Sequence, residues 1–392
     1  MSLASVLSSL PLVVERDEGL RLRLLSGLEL DRRQTGLLIV GIVLLFAMPD
    51  LAAILGFSFR TVSKGLMLGM AALGLNLLLR HTQLVSFGHA LFFGAGAYAV
   101  AVLANYGGVT SSLVLLIGAL LFGTTIAVFV GFLVAGHREI YFALLTLAFG
   151  QLGFAIVLGS QFFNFDDGLS VRIEGARPTL AVDSLLGAEL STAAYRILLY
   201  YLTIVILLAL LLFTWRLANS PFGKTLDAIG QNDLRAEFLG VPVQRYIWTV
   251  FILSGAYGAI GGGLFALLEL HVRPQPTLHV LVSGEILLMT LVGGFSTLLG
   301  PIIGGVIVVY ILDLARFQTE FHNALAGILL VAVVIFFPRG IMGSSDDIRA
   351  GAVQVREDPS VLGVWVRELG ARVRGGLRNA VVATKHLLFG AR

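Results

Sequence analysis

The order of apolar and polar positions is dominated by long unbroken apolar runs. A helix needs about 20 apolar residues to cross about 30 Å of hydrocarbon. Eight runs approach that length: 36–56, 65–79, 84–104, 112–135, 140–163, 194–213, 247–269 and 322–337, the second and the last being short. They are continuous rather than alternating, which predicts spanning helices and not the strands of a barrel. A further run, Ser283–Leu312, is too long for one helix and too short for two. Its Gly284, Gly293, Gly294, Gly300, Pro301, Gly304 and Gly305 predict two short helical pieces broken around Gly293–Pro301. The expected fold class is an all-α polytopic membrane protein. It has about eight full spans plus a broken or re-entrant hairpin, up to ten segments.

Polar stretches divide the chain. Residues 1–34 read as a cytoplasmic N-tail with one short amphipathic stretch, 35–338 as the transmembrane domain with an internal polar loop at 214–246, and 339–392 as a cytoplasmic tail. Met1–Val14 has no basic region ahead of its apolar residues, so it does not read as a signal peptide. If 283–312 turns back on itself, both termini lie inside, and 20 of the 27 Lys and Arg residues fall on the inner side. That bias matches the positive-inside rule and gives the N-in, C-in expectation. Trp215 and Trp248 flank the inner loop as interfacial aromatics do. From Pro359 to Phe389, apolar residues including Leu362, Trp365, Leu369 and Val373 recur at helical spacing with arginines on other faces. This reads as an amphipathic helix on the inner leaflet, or a partner-docking helix.

Composition agrees. Hydrophobic residues make up 57% of the chain, charged residues 13%, and mean hydropathy is +0.91. A soluble protein of this composition would leave apolar surface in water. The 46 glycines suit close helix approach in lipid. The absence of cysteine excludes disulfides, Cys-ligated zinc and iron–sulfur sites.

Candidate chemistry is sparse. Gly223-Lys224-Thr225 resembles the end of a phosphate-binding loop, but the required earlier glycine is Ala218 and Pro221 interrupts the loop. The seven histidines lack metal-ligand spacing, and no nucleophile–base set or carboxylate pair shares a span. No catalytic and no metal-binding residues are expected. The informative segment is Asn219–Val241. Ser220 can cap a helix with Pro221 at its first position, and Asn232 can cap a second with Asp233 in its first turn. Gly240 can end that second helix left-handed, and Pro242 blocks its extension. Two turns are too short to be stable alone. With Leu234 and Phe238 on one face beside Arg235 and Glu237, the stub predicts a docking element; an ordinary loop with a helical turn is the plainer reading. Asn76, Ser86, His89, Gln151, Glu285 and Ser296 are polar positions within apolar runs, where function and interhelical hydrogen bonding compete. Glu285 is expected near a helix start, favoured by the helix dipole. The break at Gly293–Pro301 is either a substrate path or a packing seam.

The stretch Ser-Pro-Phe-Gly-Lys-Thr-Leu-Asp-Ala-Ile-Gly-Gln-Asn-Asp-Leu-Arg-Ala-Glu-Phe-Leu-Gly at 220–240 resembles the coupling loop of the branched-chain amino acid ABC transporter permeases. Ala72–Leu79, Gln83–Tyr98, Glu139–Gln151 and Ser283–Pro301 resemble further signatures of that family, in order over roughly 65–340. Within it the chain looks like the longer of two permease partners. The resemblance implies a permease subunit of an ATP-driven, binding-protein-dependent importer in the plasma (inner) membrane of a prokaryote. It implies ATPase coupling through Asn232, Asp233, Leu234, Arg235, Glu237, Phe238 and Gly240. The candidate translocation path comprises Ser86, His89, Phe93, Gly94, Gly293, Gly294, Phe295 and Ser296. No cofactor is expected on this chain; ATP and Mg belong to a partner subunit. Expected partners are ATP-binding cassette ATPase subunits, a second permease subunit, an extracytoplasmic solute-binding protein and the lipid bilayer, with no nucleic acid. Asn164–Leu169 departs from the family's glycine-rich outer loop, which affects substrate handling. Branched-chain amino acids are the expected solute, urea or short amides the alternative on the same scaffold, and a stand-alone channel or secondary transporter the rival class.

Overall fold

The computed structural model describes residues 13–16, 19–23, 29–30, 58–171, 178–179, 191–318 and 340. The expected spans at 36–56 and 322–337 and the expected tail helix lie outside these residues. The chain divides into two units, Met1–Phe59 and Arg60–Arg392.

The first unit carries a three-stranded antiparallel meander: β1 (Val13–Arg16), β2 (Gly19–Arg23) and β3 (Glu29–Leu30). This differs from the polar tail expected there. Arg16 pairs with Gly19 and Val13 with Leu22. Gly-Leu-Arg-Leu-Arg in β2 alternates with period two, a strand signal beneath the polar composition.

The second unit is helical. Its elements are α1 (Phe59–Thr82), α2 (His89–Asn105), α3 (Ser112–Val134), α4 (Glu139–Leu158), α5 (Thr192–Ala218), α6 (Pro221–Gln231), α7 (Asp233–Phe238), α8 (Val243–Glu269), α9 (Gln275–Leu278), α10 (Val280–Gly293) and α11 (Gly300–Gln318). The two-residue strands β4 (Leu169–Ser170) and β5 (His271–Val272) pair antiparallel. Five helices, α1, α3, α4, α5 and α8, are long and apolar enough to span a membrane, while α2, α10 and the apolar part of α11 are shorter. The run at 65–79 understates α1, and the run at 84–104 overshoots α2, because Gln83–Gly88 is irregular backbone.

Burial separates an inner group from an outer one. The most apolar windows of α1 and α8 are 89% and 78% buried within the chain, against 33%, 22% and 39% for α3, α4 and α5. Lipid-facing helices need no polar counter-face, which explains how α4 leaves Ile140, Tyr141, Leu144 and Leu152 exposed. The inner helices meet through glycine. A Cβ on Gly262 of α8 would lie 2.7 Å from the Phe93 carbonyl carbon of α2, and one on Gly74 of α1 would lie 2.8 Å from Tyr257 Cβ. Around these contacts Phe92 meets Phe251 edge-on, with centroids 5.3 Å apart.

The expected break is present. α10 ends at Gly293, Gly294 takes φ +106°, and α11 starts at Gly300. A Cβ on Gly304 would lie 2.8 Å from Gly293 N, so α10 and α11 fold back on each other across these glycines. α11 then runs along α1 in the opposite direction, Gly69 facing Ile302, Gly65 facing Val306, and Thr61 bonding Asp313. Glu285 is half-buried in the second turn of α10, not at its start.

Candidate functional site

One end of the bundle gathers the turn 294–299, the end of α1, the end of α5, and α6 with α7. The caps form as the residue types dictate. Ser220 Oγ accepts from Gly223 N at 3.2 Å with Pro221 in the first turn of α6, and Asn232 Oδ1 accepts from Arg235 N at 2.8 Å. Gly240 ends the segment at φ +83°. Two long-range contacts, a hydrogen bond and an ion pair, fasten this pair of helices to the bundle. His81 Nδ1 at the end of α1 lies 2.6 Å from Asp227 Oδ1 of α6. Arg138 Nε, at the α3–α4 turn, donates to Asp233 Oδ2 of α7 at 2.9 Å. Phe222 also stacks on Tyr246, with centroids 5.2 Å apart.

α7 is therefore held in place but not covered. Ala236 is buried, whereas Leu234 is 59%, Phe238 83% and Leu239 78% exposed. Asn232, Arg235, Glu237 and Gly240 are exposed beside them. Three large apolar side chains, two on this short polar helix and one just after it, form an uncovered knob.

The residues expected along the translocation path separate into two groups. His89, Phe93 and Ser86 are fully buried near the start of α2. Ser86 Oγ accepts from Gly88 N at 3.3 Å, which shapes the entry to the helix. His89 Nε2 lies 2.7 Å from Ser254 Oγ, and Ser254 Oγ donates to Gly74 O at 2.6 Å. Because Ser254 has one proton and spends it on Gly74, His89 Nε2–H is the donor to Ser254. Its Nδ1 is then a buried acceptor without a hydrogen-bond partner. Phe93 packs on Phe265 at 5.3 Å, and Gly94 lies against Thr277 and Leu278 of α9. The second group is the turn: Gly293 and Gly294 are buried, whereas Phe295 and Ser296 are exposed. Asn76 Nδ2 donates to Thr297 O at 3.1 Å and ties the turn to α1. Ser296 lines a polar pocket beside Arg80 and Lys224, while Gly94 lines a separate apolar groove between α2, α3 and α4.

Several bridging groups escape sequence reasoning. Ser254, Ser283, Thr290 and Thr146 are buried hydroxyls inside apolar runs: Ser283 Oγ accepts from Ala90 N at 2.9 Å, and Thr290 Oγ1 donates to Ala72 O at 3.2 Å. Nothing local marks them. Arg138 and His81 carried a usable signal, a charged or titratable residue at the end of a span, but their partners lie 95 and 146 residues away.

The opposite end carries its own polar links. Arg60 pairs with Glu269, its Nε donating at 3.1 Å, and Lys64 Nζ lies 3.9 Å from Asp313. These join α1 to α8 and α11. Among the described residues no group of His, Cys, Asp and Glu could hold a metal.

A family model described as the branched-chain amino acid transport system / permease component matches residues 57–338. The chain is 26% identical over 291 residues to the high-affinity branched-chain amino acid transport system permease protein LivM of Escherichia coli (strain K12), covering 69% of this chain and 66% of the relative. It is 28% identical over 142 residues to LivH of Salmonella typhimurium, covering 36% of this chain and 46% of that one. It is 28% identical over 140 residues to the autoinducer 2 import system permease protein LsrC of Photorhabdus laumondii, covering 34% and 42%. The chain thus spans just under two thirds of the length of the LivM relatives. No solved structure matches it.

Proposed function

Since the chain belongs to the branched-chain amino acid transport permease family and is a multi-pass inner-membrane protein, we propose that it is the permease subunit of an ATP-driven importer of branched-chain amino acids. The observation that carries this reading is the α6–α7 unit. It is anchored by His81–Asp227 and Arg138–Asp233, yet Leu234, Phe238 and Leu239 stand uncovered. A fixed mount with an apolar knob is what force transmission from a separate ATPase requires. ATP and Mg would be held by that subunit. A second permease chain would meet one of the exposed apolar faces of α3, α4 or α5, and an extracytoplasmic binding protein would deliver the solute.

Both termini lie in the cytoplasm in this reading, with about eight spans and the α10–α11 hairpin returning the chain. Its support is the placement of the hairpin turn at the α6–α7 end. Gly340 adds to it by lying against Gly294 and Leu291, so the chain after α11 comes back to that end. The solute passes between the buried start of α2 and the hairpin turn. His89 Nδ1, an acceptor without a partner, suits the N–H groups of an amino acid. The match to autoinducer 2 permeases favours a second reading in which the same device carries another small solute.

The test is uptake into vesicles containing the whole complex, with labelled leucine, valine and urea offered separately. ATP-dependent leucine and valine uptake is expected. Urea uptake alone would defeat the amino acid assignment, and uptake of any solute without the ATPase would defeat the importer.

A further inference from the structure

A pocket of about 420 Å³ lies between the end of α1, the end of α5, α6 and the hairpin turn, lined among others by Arg80, Trp215, Asn219, Lys224, Ser296 and Thr297. The one carboxylate in its lining, Asp227, is engaged by His81 at 2.6 Å. The side chains of Arg80 and Lys224 have no hydrogen bond or ion pair among the described residues, and neither has the Ser296 hydroxyl. Two cations without a partner among the described residues, and a hydroxyl, therefore line one cavity that holds a single carboxylate. A guanidinium fork and an ammonium together match the oxygens of a phosphate.

Position decides which phosphate. α5 has 27 residues, about 40 Å, so it exceeds the hydrocarbon thickness by about 10 Å. Its last turn, with Trp215, reaches the headgroup level where tryptophan concentrates. Leu212, one turn earlier on the face of Trp215, is 47% exposed, and its neighbour Phe213 is 46% exposed. The cavity thus has a polar, cationic lining at the interface, and about one turn from its Trp215, on the acyl side along α5, stand the exposed Leu212 and Phe213. A soluble anion would use the lining alone; a phospholipid uses both.

We propose that this pocket binds the phosphate of an anionic phospholipid headgroup, with its acyl chains along α5 at Leu212 and Phe213. Because the lining comes from α6 and from the hairpin turn, the bound headgroup bridges the element that meets the ATPase and the element that borders the solute path. The site itself is independent of the solute and of the importer reading, and its bridging role rests on that reading.

The chain has three tryptophans, Trp215, Trp248 and Trp365. A full-length W248F/W365F variant leaves Trp215 as sole reporter, and W215F/W365F leaves Trp248, which sits at the same end with its Nε1 bonded to Val128 O. Both are reconstituted in phosphatidylcholine vesicles with brominated phosphatidylglycerol or brominated phosphatidylcholine as quencher. Trp215 is expected to show a preference of about fivefold or more for the anionic lipid, and Trp248 close to none. R80Q/K224Q brings the Trp215 preference near unity with an unchanged thermal midpoint, and K224Q alone, at an exposed position, brings it part of the way. Millimolar inorganic phosphate leaves the preference intact. Equal quenching by the two lipids at Trp215, or a preference that survives both variants, overturns the site. Displacement by inorganic phosphate assigns the pocket to a soluble anion and overturns the lipid. Loss of ATPase co-purification in R80Q/K224Q with unchanged quenching assigns it to a protein contact and overturns it equally.

Discussion

Replacing Gly262 with alanine tests the packing on which the buried start of α2 depends. An alanine Cβ there would lie 2.7 Å from the Phe93 carbonyl carbon and 3.1 Å from its Cα, with the carbonyl oxygen nearer still. Ordinary contact begins at 3.4 Å, so α2 and α8 must separate by at least 0.7 Å, the difference of those distances. The obstacle is backbone in the middle of a helix, so no side-chain rotation relieves it. Overpacking of this kind costs about 1–3 kcal/mol, and a rigid neighbour places the cost in the upper half. A radial gap of this size also forfeits about a quarter of the dispersion well for the atoms around it, which include the Phe93–Phe265 pair. Against this stands a gain in helix propensity of up to about 1 kcal/mol. The expected net is a destabilisation of about 1–2 kcal/mol. Gly284 of α10 supplies the control, because a Cβ there meets nothing within 4 Å and only the propensity term remains. The assay is the thermal midpoint of the detergent-purified chain by fluorescence-detected size exclusion. G262A should melt below the parent, and G284A at or above it. A midpoint for G262A equal to or above the parent would falsify the close approach of α2 and α8.

Three further outcomes follow from the same contacts. Phe238→Ser should leave stability within about 0.5 kcal/mol, as exposed positions do, while abolishing ATP-dependent uptake; normal uptake with normal ATPase co-purification would remove α7 from the interface. Arg138→Asp should lower uptake by placing a carboxylate against Asp233, and the double exchange with Asp233→Arg should recover at least half of it; equal activity of single and double variants would show that this pair does not hold α7. Since the chain has no cysteine, Ser296→Cys and Asp167→Cys can be probed with an impermeant thiol reagent on intact cells; Asp167→Cys should label from outside and Ser296→Cys only after permeabilisation, and the reverse pattern would invert the orientation.

Most of the helical framework was legible because apolar run length is a one-dimensional property. The cap residues Ser220 and Asn232 and the stop at Gly240 were legible for a related reason: capping is decided within three or four residues. The β1–β3 meander was missed because the charged cluster Glu15–Glu18 and the arginines beside it masked the alternation in Gly19–Arg23. The path residues were read only as types. Gly94 and Gly293 stand among the candidate path residues, and what lies against them within the chain is Leu278 in one case and Gly300 in the other. Ser254, which orients His89, lies 165 residues from it in an apolar run. No local pattern distinguishes such a serine from one bonded to its own helix.

The partners of α1 also set a schedule. Its Gly74 carbonyl waits for Ser254, its Asn76 for Thr297 and its Thr61 for Asp313, groups made 180, 221 and 252 residues later. At about 5–20 residues per second, synthesis of those segments takes roughly 10–50 s. During that interval a nascent helix bearing Ser63, Lys64 and Asn76, in the least apolar of the five long spans, lacks these three partners. It must be sheltered by the insertion machinery or pair provisionally with whatever polar groups are at hand. Biogenesis of this protein is thus paced by the arrival of α11, and a ribosome stalled before residue 300 leaves the Gly65–Gly69 side of its most buried helix without its final neighbour.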